Sequence, residues 1–431
     1  MRNYVIKGHI CYSRNRNELH IIENGYVVCE NNKCAGVFKK LPEKYEAFPM
    51  HDYEDKLVIP GFTDLHVHAP QYAFRGLGMD LELIDWLNTH TFIEEAKYSN
   101  KEYAEKAYEI FADDLLHSAT TRACIFGTIH TDATLILMDK LEAAGLSAYV
   151  GKVNMDRNSP EYLCESSAEK SEKDTEEWLL ACENYENVMP ILTPRFTPSC
   201  SDELFERLSK LQKKYHLPMQ SHLSENLGEI EWVKELCPGT GFYGESYDRY
   251  DMFGNSCPTI MAHCVHSGDD EIEMMRKQNV FVAHCPESNA NLSSGVAPVK
   301  KYLDKGMKVG LGSDVAAGSS LSIFKAMAMA IQCSKLRWRL YDQSAAPLTV
   351  EEVFYLATKG GGEFFGKVGS FERDYDFDAV IIDDSSLKHP QELSVKDRLE
   401  RLIYLAEDKN IVAKIVKGKV LFEKYRFIKR F

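Results

Sequence analysis

The chain has 431 residues, 44% of them hydrophobic, which is enough to bury a large core and too long for one small module. A formal charge of −14 and a pI near 5.5, with no basic block, argue against a nucleic-acid backbone as partner. The start Met1-Arg2-Asn3-Tyr4-Val5 has no apolar leader and no 18-residue apolar span occurs, so a soluble cytoplasmic protein off the membrane is expected.

Residues 1–57 carry short alternating apolar runs, among them Tyr4-Val5-Ile6 and Tyr26-Val27-Val28, with Glu23-Asn24-Gly25 reading as a hairpin turn. Residues 370–431 repeat the pattern in Ala379-Val380-Ile381-Ile382 and Ile411-Val412-Ala413-Lys414-Ile415-Val416, followed by the turn signal Lys417-Gly418-Lys419. Neither flank alternates long helices with strands, so the two are expected to pair into one small β-rich domain. Between them, residues 58–369 show eight candidate strands, near 60–66, 121–127, 148–154, 187–192, 217–221, 259–262, 280–283 and 308–312. With helices between, these predict an α/β fold, a (β/α)8 TIM-like barrel. One helix is expected from Ser99, which has capping-box spacing to Glu102, with Tyr103, Ala107, Phe111 and Leu115 as its buried stripe.

The first candidate barrel strand runs into Gly61-Phe62-Thr63-Asp64-Leu65-His66-Val67-His68. Two residues apart in an extended strand, His66 and His68 face the same side and can share a metal. Later strands end in His222, His263 and Asp314, and a parallel barrel gathers its strand ends on one rim. Zinc is expected on His66, His68, His222 and Asp314, one per chain, with Fe2+ or manganese compatible with the same donors. Such an ion lowers the pKa of water from about 15.7 toward about 7. His263 is then free to orient the water or stabilise an oxyanion, and Glu225, three residues after His222, is the candidate proton carrier. The fourth candidate strand has no lysine to carry a bridging carboxylate, and Lys152 lies on the strand before it, which favours one metal over two. The 12 cysteines include no Cys-x-x-Cys pair; Cys264 and Cys285, although beside His263 and His284, read as buried thiols.

Pro60 to His68 and Leu311-Gly312-Ser313-Asp314 resemble the amidohydrolase superfamily. Within it, His68-Ala69-Pro70-Gln71-Tyr72, Asp85-Trp86-Leu87, Thr128-Ile129-His130-Thr131-Asp132 and Leu192 to Cys200 are most similar to the guanine deaminases. The resemblance implies deamination of guanine to xanthine and ammonia by a homodimer with one zinc per subunit. It also implies a base pocket containing Gln71, Arg195 and Phe196, with Phe196 or Trp86 stacking on the purine and His222 at its edge. The alternative it leaves is a related hydrolase of another aminopurine, a pterin, a pyrimidine or a triazine. Pro70 and Glu287 depart from common motif contexts, and Glu287 is read as a contact at the pocket mouth or with solvent.

Overall fold

The computed structural model describes residues 1–424 and 428–429. Residues 425–427, 430 and 431, which belong to the expected C-terminal flank, lie outside the described residues. Among the described residues, eight parallel strands make a barrel wall: Phe62–His68, Thr120–Phe126, Ser147–Gly151, Val188–Pro190, Met219–Leu223, Thr259–His263, Phe281–His284 and Lys308–Leu311. All eight expected strands are present, with boundaries moved by a few residues. The two halves of the wall join where Leu192 N donates to Pro218 O (2.9 Å) and Gln220 N to Leu192 O (3.0 Å). The ring closes where Asp314 N donates to His66 O (2.8 Å) and His68 N to Val315 O (3.2 Å).

The first strand begins two positions later than expected because Pro60 belongs to a different sheet, ending Met50–Pro60 opposite Ala379. Gly61 makes the transfer. A Cβ there would overlap the Thr121 side chain, so the chain passes against the second barrel strand only without one. The register of Phe62–His68 against its neighbour slips between Asp64 and Val67. Leu65 packs inside the barrel and Val67 on its outer surface, so this irregularity sets which side His66 and His68 take.

The barrel floor is filled by Leu65, Cys124, Ile191, Ile260, Phe281 and Phe364, so the interior is packed below the rim. The larger core lies between the wall and the surrounding helices. The helix Lys101–His117 shows why its start was misplaced by one residue. Asn100, not Ser99, is the cap, its side chain accepting from Glu102 N and Tyr103 N, whereas Ser99 Oγ donates back to Ala96 O. The buried stripe shifts accordingly to Ala104, Tyr108, Phe111, Ala112 and Leu115, leaving Tyr103 and Ala107 half-buried.

Both chain ends contribute to a separate eight-stranded sheet. Tyr4–Asn15, Glu18–Glu30, Lys33–Phe38 and Met50–Pro60 come from the N-terminal flank, and Ala379–Ile382, Ile411–Val416, Lys419–Glu423 and Ile428–Lys429 from the other. Lys417 and Gly418 turn the chain as expected, with φ of 46° and 71°. Glu23-Asn24-Gly25 does not turn it: all three lie within Glu18–Glu30, where the register against the first strand slips between Gly8 and Ile10. The C-terminal flank also contains the helix Val395–Leu405, whose buried face of Val395, Leu399, Leu402 and Ile403 explains why the apolar residues there do not alternate.

Arg122, on the second barrel strand, ties barrel to sheet. Its guanidinium reaches Asp378 Oδ2 (2.6 Å), Asp376 Oδ2 (2.9 Å) and Ser147 Oγ (2.8 Å), and it is 4% exposed. Removing one side of such a cluster strands the buried Asp378 without its cation. Arg122→Ala is therefore expected to cost about 3–5 kcal/mol of stability, read as a lowered midpoint in denaturant titration; a change below about 1 kcal/mol would show the clamp to be dispensable.

Candidate metal centre and adjoining pocket

The rim of the barrel brings together His66, His68, His222, His263 and Asp314 from four strand ends. Ser224, His263 and Asp314 all have positive φ (47°, 71° and 47°), so the chain turns sharply just where these strands finish. Gly312 makes room for the last of them: a Cβ would sit 2.8 Å from Cys285 Sγ and 2.9 Å from His66 Cβ.

His66 Nε2 lies 3.2 Å from His68 Nε2 and 3.2 Å from Asp314 Oδ1; His68 Nε2 lies 3.3 Å from His222 Nε2 and 3.6 Å from Asp314 Oδ1. Four donors at metal–ligand distances of about 2.0–2.1 Å around a tetrahedral ion would stand about 3.3 Å apart. His66, His68 and Asp314 therefore fit a divalent ion, with His222 Nε2 at the same spacing from His68. Electrostatics agree with neutral imidazoles facing a carboxylate. Burial, reinforced by the neighbouring imidazoles, holds His68 and His222 well below the usual histidine range. Burial opposes ionisation of Asp314, but His66 and His263 outweigh it and keep the carboxyl down at about 2.

Surrounding groups fix these side chains. The His222 Nδ1–H donates to the Arg195 carbonyl (2.6 Å), which turns Nε2 inward. Asp64 accepts from His66 N (3.2 Å) and Ser313 N (3.0 Å), linking the first strand to the loop that carries Asp314. The Phe126 ring packs within 4.5 to 5.1 Å, centroid to centroid, of His66, His68 and His222. Cys285 Sγ stands close to His263 and Asp314, but burial drives its thiol well up, as suits a buried uncharged sulfur; Cys264 turns instead toward Met261 and Met275. Lys152 is buried and tied to Glu165 Oε1 (2.6 Å).

Beside the four donors lies a cavity. Its wall includes His68, Gln71, Trp86, Arg195, Phe196, His222, Glu225, His263 and Asp314, so nearly every residue expected at the site faces one space. Glu225 is buried, with Oε1 accepting from Ser294 Oγ (3.1 Å) and Oε2 3.5 Å from His263 Nε2. Burial raises its carboxyl, opposed by His263. His263 is raised in turn: burial disfavours its charge, but the Glu225 and Asp314 carboxylates prevail. Asn289 Oδ1, 2.9 Å from His263 Nδ1, holds the ring. Glu229 also lines the cavity and accepts from Glu225 N (3.0 Å) and Tyr243 OH (2.8 Å); burial and the Glu225 charge push its carboxyl up to about 7.

Arg195 and Gln71 converge on one partner that sequence reading missed. Glu95 accepts from Arg195 Nη1 and from Gln71 Nε2 (2.9 Å). Nothing in the run Phe92-Ile93-Glu94-Glu95-Ala96 distinguishes Glu95 from its exposed-looking neighbours. Asn289, Ser294 and Phe126 were missed for the same reason, since each is ordinary in its local sequence. Glu287 lies away from the cavity wall and accepts from Ser319 Oγ (2.6 Å). His284 is buried away from that wall as well, and burial holds its imidazole down at about 3.

The same fold recurs in known proteins. A crystal structure of guanine deaminase from C. acetobutylicum with bound guanine in its active site superposes with a TM-score of 0.95, at 48% identity over 98% of this chain and 100% of that one. Guanine deaminase of Dictyostelium discoideum is 40% identical over 376 residues, covering 85% of this chain and 83% of that protein. That of Escherichia coli (strain K12) is 31% identical over 418 residues, covering 94% and 93%. Residues 57–421 match the model of the amidohydrolase family. With a barrel rim that gathers four histidines and an aspartate, and with this match across the barrel, the chain belongs to the amidohydrolase family.

Proposed function

We propose that this chain is a zinc-dependent guanine deaminase, which hydrolyses the 2-amino group of guanine to give xanthine and ammonia. The observation that carries the reading is one cavity lined together by three of the four donors, His68, His222 and Asp314, by the buried Glu225 and by Arg195. Similarity to a protein crystallised with guanine supports the choice of base. The resemblance adds a homodimer with one zinc per subunit.

When bound by His66, His68, His222 and Asp314, the ion supplies positive charge that lowers the pKa of water toward neutrality. Arg195 donates to the guanine carbonyl, and Gln71 offers a donor and an acceptor to the ring edge. Phe196 and Trp86 close the apolar sides of the cavity over the purine. Glu225 takes a proton from the attacking water and passes it to the ring nitrogen beside C2 as the C2–O bond forms. His263, raised toward its charged form between two carboxylates, donates to the oxygen as negative charge gathers there. Glu225, unprotonated again, takes the second proton from the C2 hydroxyl and delivers it to the exocyclic amine as the C2=O bond forms and the C2–N bond breaks, so ammonia leaves while the ring nitrogen keeps the first proton.

Purified metal-replete protein is expected to contain about one zinc per chain by elemental analysis, with turnover lost on chelation and regained with zinc. A stoichiometry near two, with bridging density between the ions, would overturn the mononuclear reading.

Glu225→Gln keeps the side chain's shape and removes its proton capacity. Turnover of guanine is expected to fall by about 10²–10⁴ while zinc content and fold persist. Near-parental turnover in that variant would take Glu225 out of proton transfer.

Adenine carries an amine where guanine carries its carbonyl, so the Arg195 donors would meet another donor inside a desolvated cavity. The parent is expected to prefer guanine strongly. Arg195→Ala should lose about 10- to 100-fold in guanine kcat/KM and narrow the guanine/adenine ratio. An unchanged ratio in a folded, zinc-loaded variant would refute this account of base choice.

A further inference from the structure

Glu95 lies on the short helix Phe92–Ala96, is 2% exposed, and does not itself line the cavity. Its carboxylate bridges the two polar side chains best placed to read a base edge. Oε2 accepts from Arg195 Nη1 and Oε1 from Gln71 Nε2 at 2.9 Å. On the far side of Gln71, Ala316 N donates to Oε1 at 3.3 Å. The Phe92 ring backs the guanidinium, its centroid 5.3 Å from Arg195 Cζ.

The chemistry of this chain of contacts permits one orientation. A carboxylate only accepts, so Gln71 must turn its amide nitrogen toward Glu95 and its carbonyl oxygen toward the Ala316 N–H. The amide is thereby locked against a flip, with one N–H and one oxygen lone pair left over for the cavity. Arg195 is fixed by the same carboxylate, which also balances its charge, leaving its other N–H groups for a ligand. We infer that Glu95 is a positioning residue that writes the donor and acceptor pattern of the pocket, and so determines which purine edge is accepted, without touching the base. This inference rests on the proposed guanine deamination.

Glu95→Gln is nearly isosteric, yet it breaks the pattern. If the new amide gives its oxygen to Arg195, its nitrogen meets the Gln71 nitrogen, donor against donor. Gln71 can escape only by flipping, which sets its own nitrogen against the Ala316 N–H and exchanges the groups shown to the ligand. Exchanging the pair, Gln71→Glu with Glu95→Gln, repairs the chain: position 71 accepts from Ala316 N and from the amide at 95, whose oxygen accepts from Arg195. The repaired chain nevertheless presents acceptors alone at position 71.

The test compares parent, Glu95→Gln and the exchanged pair, all zinc-loaded. The measurements are kcat and KM for guanine and adenine, zinc content, thermal midpoint, and calorimetric guanine binding in a Glu225→Gln background. Glu95→Gln is expected to weaken guanine binding and raise its KM by about 10- to 100-fold, with a smaller change in kcat, and to narrow the guanine/adenine ratio at parental zinc content. The exchanged pair is expected to recover the thermal midpoint but not the guanine affinity. Guanine KM and ratio unchanged in Glu95→Gln while the midpoint falls would reduce Glu95 to a structural role and overturn the inference. Recovery of guanine affinity together with the midpoint in the exchanged pair would overturn it too. If Glu95→Gln does not fold, the exchanged pair is compared directly with the parent: parental affinity refutes, weakened affinity supports. A parent that turns over guanine while these variants match it in guanine affinity and base ratio leaves the functional reading standing and this inference alone refuted; a parent that neither binds nor deaminates guanine overturns both.

Discussion

Closure of the barrel and assembly of the donor set are one event. The hydrogen bonds from Asp314 N to His66 O and from His68 N to Val315 O join the last strand end to the first. They bind together the same short segments that supply three of the four converging ligand atoms. Asp64 reinforces the seam by accepting from both sides of it, and Gly312 lets the two backbones approach. Ligand spacing near 3.3 Å is therefore set by backbone pairing and does not rely on long flexible side chains. The remaining donor, His222, is steadied separately by the Arg195 carbonyl, which couples the donor set to the Arg195 side of the cavity.

The electrostatics of the cavity follow from burying several acids near several imidazoles. Glu225 and His263 raise or restrain one another, and Asp314 contributes to both. Glu229 relieves part of the problem by residing where burial favours its protonated form, while its Oε2 still caps the Glu225 and Asn226 N–H groups. One helix start thus carries a buried carboxylate facing the cavity and the acid that positions its backbone.

How much of this was legible depends on whether the signal is local. The eight strands, the His-x-His pair and the later strand ends were readable because apolar runs ending in His222, His263 or Asp314 combine a short-range pattern with a chemically rare residue. The inward direction of His66 and His68 was inferred from simple alternation, whereas the structure reaches it through a slip in register after Asp64. Asn100 displaced Ser99 as cap because both are competent and only the path of the preceding 3-10 turn, Lys97–Ser99, decides between them. Asn24-Gly25 resembled a hairpin turn because positive φ serves a bulge as well as a turn. Glu95 was invisible because its importance comes from Arg195, 100 residues away.

The sheet built from both ends of the chain has a consequence for biosynthesis. Met50–Pro60 pairs with Tyr4–Asn15 on one side and with Ala379–Ile382 on the other, so one of its edges has no neighbour until more than three hundred further residues have been made. During that interval the ribosome-bound chain exposes an apolar strand, Leu57-Val58-Ile59, joined by Pro60 and Gly61 to the first barrel strand. Long loop closure delays such pairing, and an open edge recruits other strands. Barrel strands emerging next are its nearest competitors, which makes a nascent chain stalled before residue 379 the species most exposed to misassembly.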